Sequence, residues 1–196
     1  MRKLSNLFTI LAIAGLFLFS GCRQDKVELD IPEQVIEPDV LKAVAVLHST
    51  GENEAHGLVT FTKVGEGMQI VVDVQGLTPG KHGFHIHQYG DCSAMDATSA
   101  GGHFNPNDKP HGGPESEEHH VGDLGNIEAD ENGSASLVKI YIDPSLSLNG
   151  TDTIIGRAVI IHSEEDDLTS QPTGNAGSRV ACGVIGIAEP TVEPGV

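Results

Sequence analysis

Tryptophan is absent from the 196 residues, and aromatic side chains make up only 4% of them. Basic residues are scarce too: 11 Lys and Arg stand against 28 Asp and Glu, a formal charge of -17 at pH 7. A chain this acidic repels phosphate backbones, and no Lys/Arg cluster offsets the repulsion, which argues against nucleic-acid binding. With 6 Phe, 2 Tyr and sparse leucine, a large helical core is disfavoured. The 24 Gly and 10 Pro are too few for collagen-like or low-complexity sequence. At 38% hydrophobic residues the chain is not a disordered acidic tail either, and its composition suits one ordinary folded domain. Histidine, with 10 copies, is the over-used residue.

Arg2 and Lys3 precede an apolar run over residues 7–19, followed by Ser20, Gly21 and Cys22, the layout of a secretory signal. The run is shorter than the roughly 20 apolar residues of a membrane-spanning helix. Phe19-Ser20-Gly21-Cys22 resembles the bacterial lipoprotein cleavage box, with Phe19 in place of the usual leucine. The resemblance implies removal of residues 1–21, lipidation of Cys22, and attachment to a lipid bilayer through several acyl chains where one would be marginal. Removal takes Arg2 and Lys3 and no acid, so 9 basic residues face 28 acidic ones and the charge becomes -19. Residues 22–42 then read as the lipidated cysteine and a flexible acidic tether, and residues 189–196, with Pro190 and Pro194, as a loose tail. Residues 43–188 remain as the folded domain, exported to the cell envelope, in the periplasm or on the surface.

Within that domain short apolar runs recur at residues 43–47, 58–62, 70–74, 135–142, 158–161 and 184–187. Turn signals separate them: Asn132-Gly133, Asn149-Gly150 and Thr78-Pro79-Gly80. No ten-residue helical pattern intervenes, so the expectation is an all-β fold of about eight antiparallel strands, a sandwich or flattened barrel. The Gly-rich stretch of residues 88–121 lacks strand character. A loop that long inside a compact domain is usually functional, and it carries His103, His111, His119 and His120.

In Gly83-Phe84-His85-Ile86-His87, alternate side chains of a strand take opposite faces. Phe84 and Ile86 must face the core, so His85 and His87 project outward together, where the long loop can fold over them and deliver His103. His162, directly after the apolar run 158–161, makes a fourth imidazole. Four imidazoles suit copper or zinc, whereas magnesium or calcium would want oxygen ligands. His111, His120 and Asp123 form a second group, which reaches the four ligands of a tetrahedral zinc site only if His103 serves twice. Any one histidine beside glycines is more often a solvated loop residue; jointly they favour metal binding.

Five ordered motifs resemble copper/zinc superoxide dismutase: His82-Gly-Phe-His-Ile-His87, Ser99-Ala-Gly-Gly-His-Phe-Asn-Pro106, His111-Gly-Gly-Pro114, His120-Val-Gly-Asp-Leu-Gly-Asn126 and Gly174-Asn-Ala-Gly-Ser-Arg-Val-Ala-Cys-Gly-Val-Ile-Gly-Ile-Ala188. The resemblance implies an eight-stranded antiparallel Greek-key barrel, immunoglobulin-like in its sandwich form, with one copper and one zinc per subunit. Position by position it makes His85, His87, His103 and His162 the copper ligands, and His103, His111, His120 and Asp123 the zinc ligands, with His103 as the bridge. Asp166 would link a copper histidine to a zinc histidine, and Arg179 would stand beside the copper as the cation that orients superoxide. His82 would be a core hydrogen-bonding group; His48, His56 and His119 match no ligand position and are assigned to the surface. With Cys22 lipidated, Cys92 and Cys182 remain as an even pair in an oxidising compartment, and the resemblance implies a disulfide between them.

The activity so implied is the dismutation of superoxide to O2 and hydrogen peroxide in two one-electron steps that consume two protons, with His103 as the proton carrier. A departure from eukaryotic relatives is the short segment Leu168-Thr-Ser-Gln-Pro172, where those relatives carry a longer loop with steering charges. Val184 and Ile187 resemble positions through which eukaryotic members pair, which allows a homodimer. The competing reading is a module of the same fold that buffers or delivers copper or zinc; the full set of four copper-type histidines with Arg179 argues for the enzyme, since storage needs neither.

Overall fold

A computed structural model describes residues 39–189; the signal segment, Cys22 and most of the tether lie outside the described residues, as does nearly all of the C-terminal tail. Eight strands follow in order: β1 (Lys42–Ser49), β2 (His56–Val64), β3 (Gly67–Gln75), β4 (Gly80–His87), β5 (Asp123–Ala129), β6 (Ala135–Tyr141), β7 (Ala158–His162) and β8 (Arg179–Ile187). They close into an antiparallel barrel in the order β1-β2-β3-β6-β5-β4-β7-β8. Hairpins join β1 to β2, β2 to β3, β5 to β6 and β7 to β8, whereas β3→β4 and β6→β7 pass between non-neighbouring strands, which is the Greek-key pattern. Among the described residues the one helical element is a 3-10 turn at Thr98–Ala100, and no helix is long and apolar enough to cross a membrane.

Period-two patterning builds the wall. In β3, Met68, Ile70, Val72 and Val74 are buried while Gln69, Val71, Asp73 and Gln75 point away, and β2 contributes Val59 and Phe61 to the same interior. Phe61, Phe84, Leu47, Met68, Ile70 and Ile86 are fully buried, each contributing about 1.5–3 kcal/mol of transfer free energy. Asn132-Gly133 turns between β5 and β6 with Gly133 at φ +76, the left-handed conformation that a tight hairpin needs and that glycine adopts without strain.

Residues 88–122 do not form a strand. They lie over β4 through backbone hydrogen bonds from Phe104 to Ile86 (2.8 Å) and Ile86 to Gly122 (2.9 Å), and fold back on themselves through Gln88 to Gly102 (2.8 Å) and Tyr89 to Ala100 (2.9 Å). Ala97, Ala100, Ala158, Ile160 and Cys182 form a second buried cluster under this loop, outside the barrel, with Cys92 packed against it. The Cys92–Cys182 disulfide, Cα to Cα 5.8 Å, fastens the loop to β8. A bridge of this kind fits an oxidising, extracytoplasmic setting.

Candidate metal centre

β4 brings Phe84 and Ile86 into the core and sends His85 and His87 to the opposite face, where the loop buries them to 0% and 1% exposure. A bridge between His87 and His103 delivers the loop histidine, and His162 arrives as the last residue of β7. Register irregularities fall between Gly83 and His85 of β4 and between Ile161 and His162 of β7; such bulges re-aim side chains beside a site. One ring nitrogen from each of His85, His87, His103 and His162 lies within 4.8 Å of the others. His103, His111, His120 and Asp123 converge to the same tolerance, so His103 belongs to both groups.

Which nitrogens converge follows from what holds the opposite ones. His87 Nδ1 donates to the Gly101 carbonyl at 2.9 Å and His162 Nδ1 to that of Gly177 at 3.2 Å. Their Nε2 atoms are thereby turned inward and meet at 3.3 Å. His85 Nε2 donates to Asp166 Oδ2 at 2.7 Å, leaving Nδ1 for the site. On the other side Asp123 Oδ1 lies 2.7 Å from His103 Nδ1, 3.0 Å from His111 Nδ1 and 3.2 Å from His120 Nδ1. The edge of a tetrahedron with metal–ligand bonds of about 2.0–2.1 Å is close to these spacings.

The fit to metal rests on three buried atoms. His85 Nδ1, His103 Nε2 and His111 Nδ1 are out of contact with solvent and make no hydrogen bond, the Asp123 Oδ1 atom 3.0 Å from His111 Nδ1 lying outside hydrogen-bond geometry. Orphaned buried nitrogens are costly unless a ligand satisfies them, and all three point where the two sets converge. Four imidazoles suit copper; three imidazoles and a carboxylate suit zinc.

Electrostatics favour the neutral ring at three histidines of the four-imidazole set and the charged ring at His111. Burial, helped by neighbouring histidines, pushes His87 well below the usual imidazole value, His103 down to about 4 and His162 down to about 3. Burial also pulls on His111, but its pairing with Asp123 and Asp166 prevails and raises it to about 9. Burial would raise both carboxyls; hydrogen bonds from the histidines outweigh it and hold Asp123 and Asp166 well below the carboxylate range. Asp166 spans the sets, its Oδ2 on His85 and its Oδ1 on His111 Nε2 at 3.0 Å, which fixes both tautomers.

Arg179 opens β8 as the cross-strand partner of His162. Its guanidinium donates to the carbonyls of Ala97 and Gly101, so two of its five N–H donors are engaged and three are free for an anion. Burial lowers its pKa from the usual guanidinium value, which for arginine leaves the charge intact.

Every residue expected at the two sets is brought together. His82 is buried, with ring nitrogens at the carbonyls of His162 (2.7 Å) and Thr78 (2.8 Å), tying β4 to the end of β7. His48 and His56 are exposed as expected. His119 departs from its surface assignment: it is half-buried, its Nδ1 donating to the His120 carbonyl at 2.7 Å, because its neighbour is drawn inward. Sequence reasoning missed Gln171, which meets the His111 backbone through two hydrogen bonds; no local pattern signals a contact between residues 60 positions apart.

An all-β closed barrel carrying a four-histidine set and a three-histidine, one-aspartate set that share a residue defines a two-metal redox protein. The model of the copper/zinc superoxide dismutase family matches residues 55–185. The chain belongs to that family, whose reaction is the dismutation of superoxide. Its fold is also similar to the crystal structure of the clock protein EA4, at 43% identity and a TM-score of 0.70 over 78% of this chain and 98% of that one.

Proposed function

We propose that this chain is an envelope superoxide dismutase, lipid-anchored through Cys22, in which His85, His87, His103 and His162 hold copper and His103, His111, His120 and Asp123 hold zinc. The observation that carries the assignment is the direction of the ring nitrogens: His85, His87, His111 and His162 each have one nitrogen engaged and the other turned into a common site, and His103 belongs to both sites. Bound copper supplies a one-electron couple that oxidises one superoxide and reduces the next, and bound zinc supplies a fixed, redox-silent charge. Two superoxide ions and two protons give O2 and hydrogen peroxide.

The protein supplies position, charge and a proton path. Arg179, held by two carbonyls, binds and orients the anion with its remaining donors. His103, gripped at Nδ1 by the Asp123 side, can hold a proton at Nε2 and return it to departing peroxide. Asp166 keeps the rings of His85 and His111 from rotating.

Superoxide decay followed by pulse radiolysis tests the reading, on a soluble form beginning at Arg23, loaded with both metals and normalised to bound copper. A rate on the order of 10⁸ to 10⁹ M⁻¹s⁻¹ is expected; stoichiometric copper with slow decay would instead mean a metal-handling module. Cys22→Ser should move the protein from membranes to the soluble fraction and abolish incorporation of labelled fatty acid. A homodimer is supported by Val46, Val184 and Ile187, which are 53%, 44% and 66% exposed on the adjacent strands β1 and β8; sedimentation of the soluble form tests it.

A further inference from the structure

His111 lies between β4 and β5, and among the described residues its backbone makes both of its hydrogen bonds to one side chain. Gln171 Oε1 accepts from the His111 N–H at 2.8 Å, and Gln171 Nε2 donates to the His111 carbonyl at 2.8 Å. A side-chain amide that meets both main-chain groups of one residue acts as a rung of β-ladder where no strand is present. The other two histidines of the set have different supports. His103 is bridged to His87, and the His120 N–H donates to Asp123 Oδ2 at 2.8 Å.

Gln171 is itself fixed by a tightly knotted loop. Asp167 Oδ1 accepts from the N–H groups of Thr169 (2.9 Å) and Ser170 (2.7 Å). The Gly174 N–H donates to the Ser170 carbonyl at 2.7 Å and the Asp167 N–H to the Gly174 carbonyl at 2.9 Å. Gly174, at φ +66, lies so close to Asp166 that a Cβ would overlap its carboxylate. The same loop presents Asp166 to the His111 ring. Residues 166–174 therefore grip His111 twice, at the imidazole and at the main chain, and the main-chain grip is Gln171 alone.

We propose that Gln171 is a positioning residue for the zinc set: by holding the His111 backbone it aims Nδ1 at the point shared with Asp123 Oδ1, 3.0 Å away, and thereby sets metal affinity and geometry there. The inference rests on the assignment of that set to zinc. A ligand whose main chain is ordered before binding has less freedom to lose when the metal arrives. The copper set has no contact with Gln171 among the described hydrogen bonds, and is reached from it only through the shared His103 and through Asp166, so the larger effect falls on the zinc set.

The test uses the full chain purified in detergent, Co(II) as a spectroscopic probe of the zinc set, and Cu(II) affinity measured in parallel against a chelator. Gln171→Met keeps length and loses both hydrogen bonds; Gln171→Asn keeps the amide but falls one methylene short of spanning both contacts. Each should weaken Co(II) binding about tenfold or more, the scale of lost support behind a ligand, and alter its visible d–d bands, with Cu(II) affinity within about twofold of the parent. Unchanged Co(II) affinity and bands, or equal losses at both sets, would overturn the proposal. A parent chain that gives no tetrahedral Co(II) spectrum would overturn the zinc assignment and this inference with it, a result read before any variant is made. If Gln171→Met fails to fold, Gln171→Asn carries the same comparison.

Discussion

His87 and Arg179 share one acceptor: the Gly101 carbonyl lies 2.9 Å from His87 Nδ1 and 2.5 Å from Arg179 Nη2. The tautomer of a histidine of the proposed copper set and the position of the guanidinium proposed to bind substrate are thus fixed by the same atom. That atom lies on the loop that Cys92 fastens to β8.

Arg179→Glu reverses the charge at this point while every histidine stays in place. Turnover per bound copper should fall by well over tenfold, corresponding to a loss of more than about 1.4 kcal/mol of transition-state stabilisation. Superoxide decay together with copper analysis checks it; an unchanged rate at full copper occupancy would remove Arg179 from the reaction.

The double variant Cys92→Ser, Cys182→Ser opens a crosslink between residues 90 positions apart. The chain-entropy model gives a loss of about 4–5 kcal/mol, an upper figure because measured values often fall short. Denaturant unfolding should show the drop. Activity per copper should decline as well, because Ala97 and Gly101 lose the tether that holds them against Arg179.

Asp166→Asn leaves one carbonyl oxygen for two imidazole N–H groups, those of His85 and His111, in a place 1% exposed. One donor is then unsatisfied, which costs about 1–3 kcal/mol. Zinc affinity measured by chelator competition should weaken about 10- to 100-fold.

The metal-free protein should be most stable near pH 6.5. His103 and His162 have folded-state values lowered to about 4 and about 3 from 6.5. Their neutral forms favour folding above 6.5, and that contribution is lost as pH falls through the folded values. Asp123 and Asp166, also lowered, withdraw theirs below the ordinary carboxylate range. His111, raised to about 9, works in the opposite sense: its contribution is complete below 6.5 and disappears as pH rises through 9. Melting temperature against pH, with chelator present, should trace a peak; a flat profile would contradict the burial of these rings.

Salt should have little effect on the rate or should raise it slightly. The formal charge of -17 repels superoxide, and the short loop of residues 168–172 carries no lysine to counter it, so screening removes as much repulsion as attraction. A rate that falls steeply with ionic strength would reveal attractive steering from elsewhere.

Most of the barrel was legible because period-two apolar runs such as Ile70, Val72 and Val74 announce a half-buried strand. β5 was not among those runs: only Leu124 and Ile127 carry the pattern, and Gly125, Asn126 and Glu128 dilute it. Its place is set instead by pairing with β4 from Gly80 to His85. The ligands were legible through their motifs and the outward pair on β4. The Asp123 carboxylate also accepts from the Gly112 N–H at 3.1 Å, and Gln171 clamps His111; neither was legible, because a hydrogen bond across the fold leaves no periodic trace in either segment.

Because β8 pairs with β1, and each has its other neighbour in β7 or β2, neither of these two strands presents a free row of backbone donors and acceptors. An open edge would be a standing invitation to a neighbouring copy. If these molecules are confined to a membrane plane, where they collide far more often than in free solution, the β1–β8 closure lets them crowd without stitching together through the backbones of these two strands.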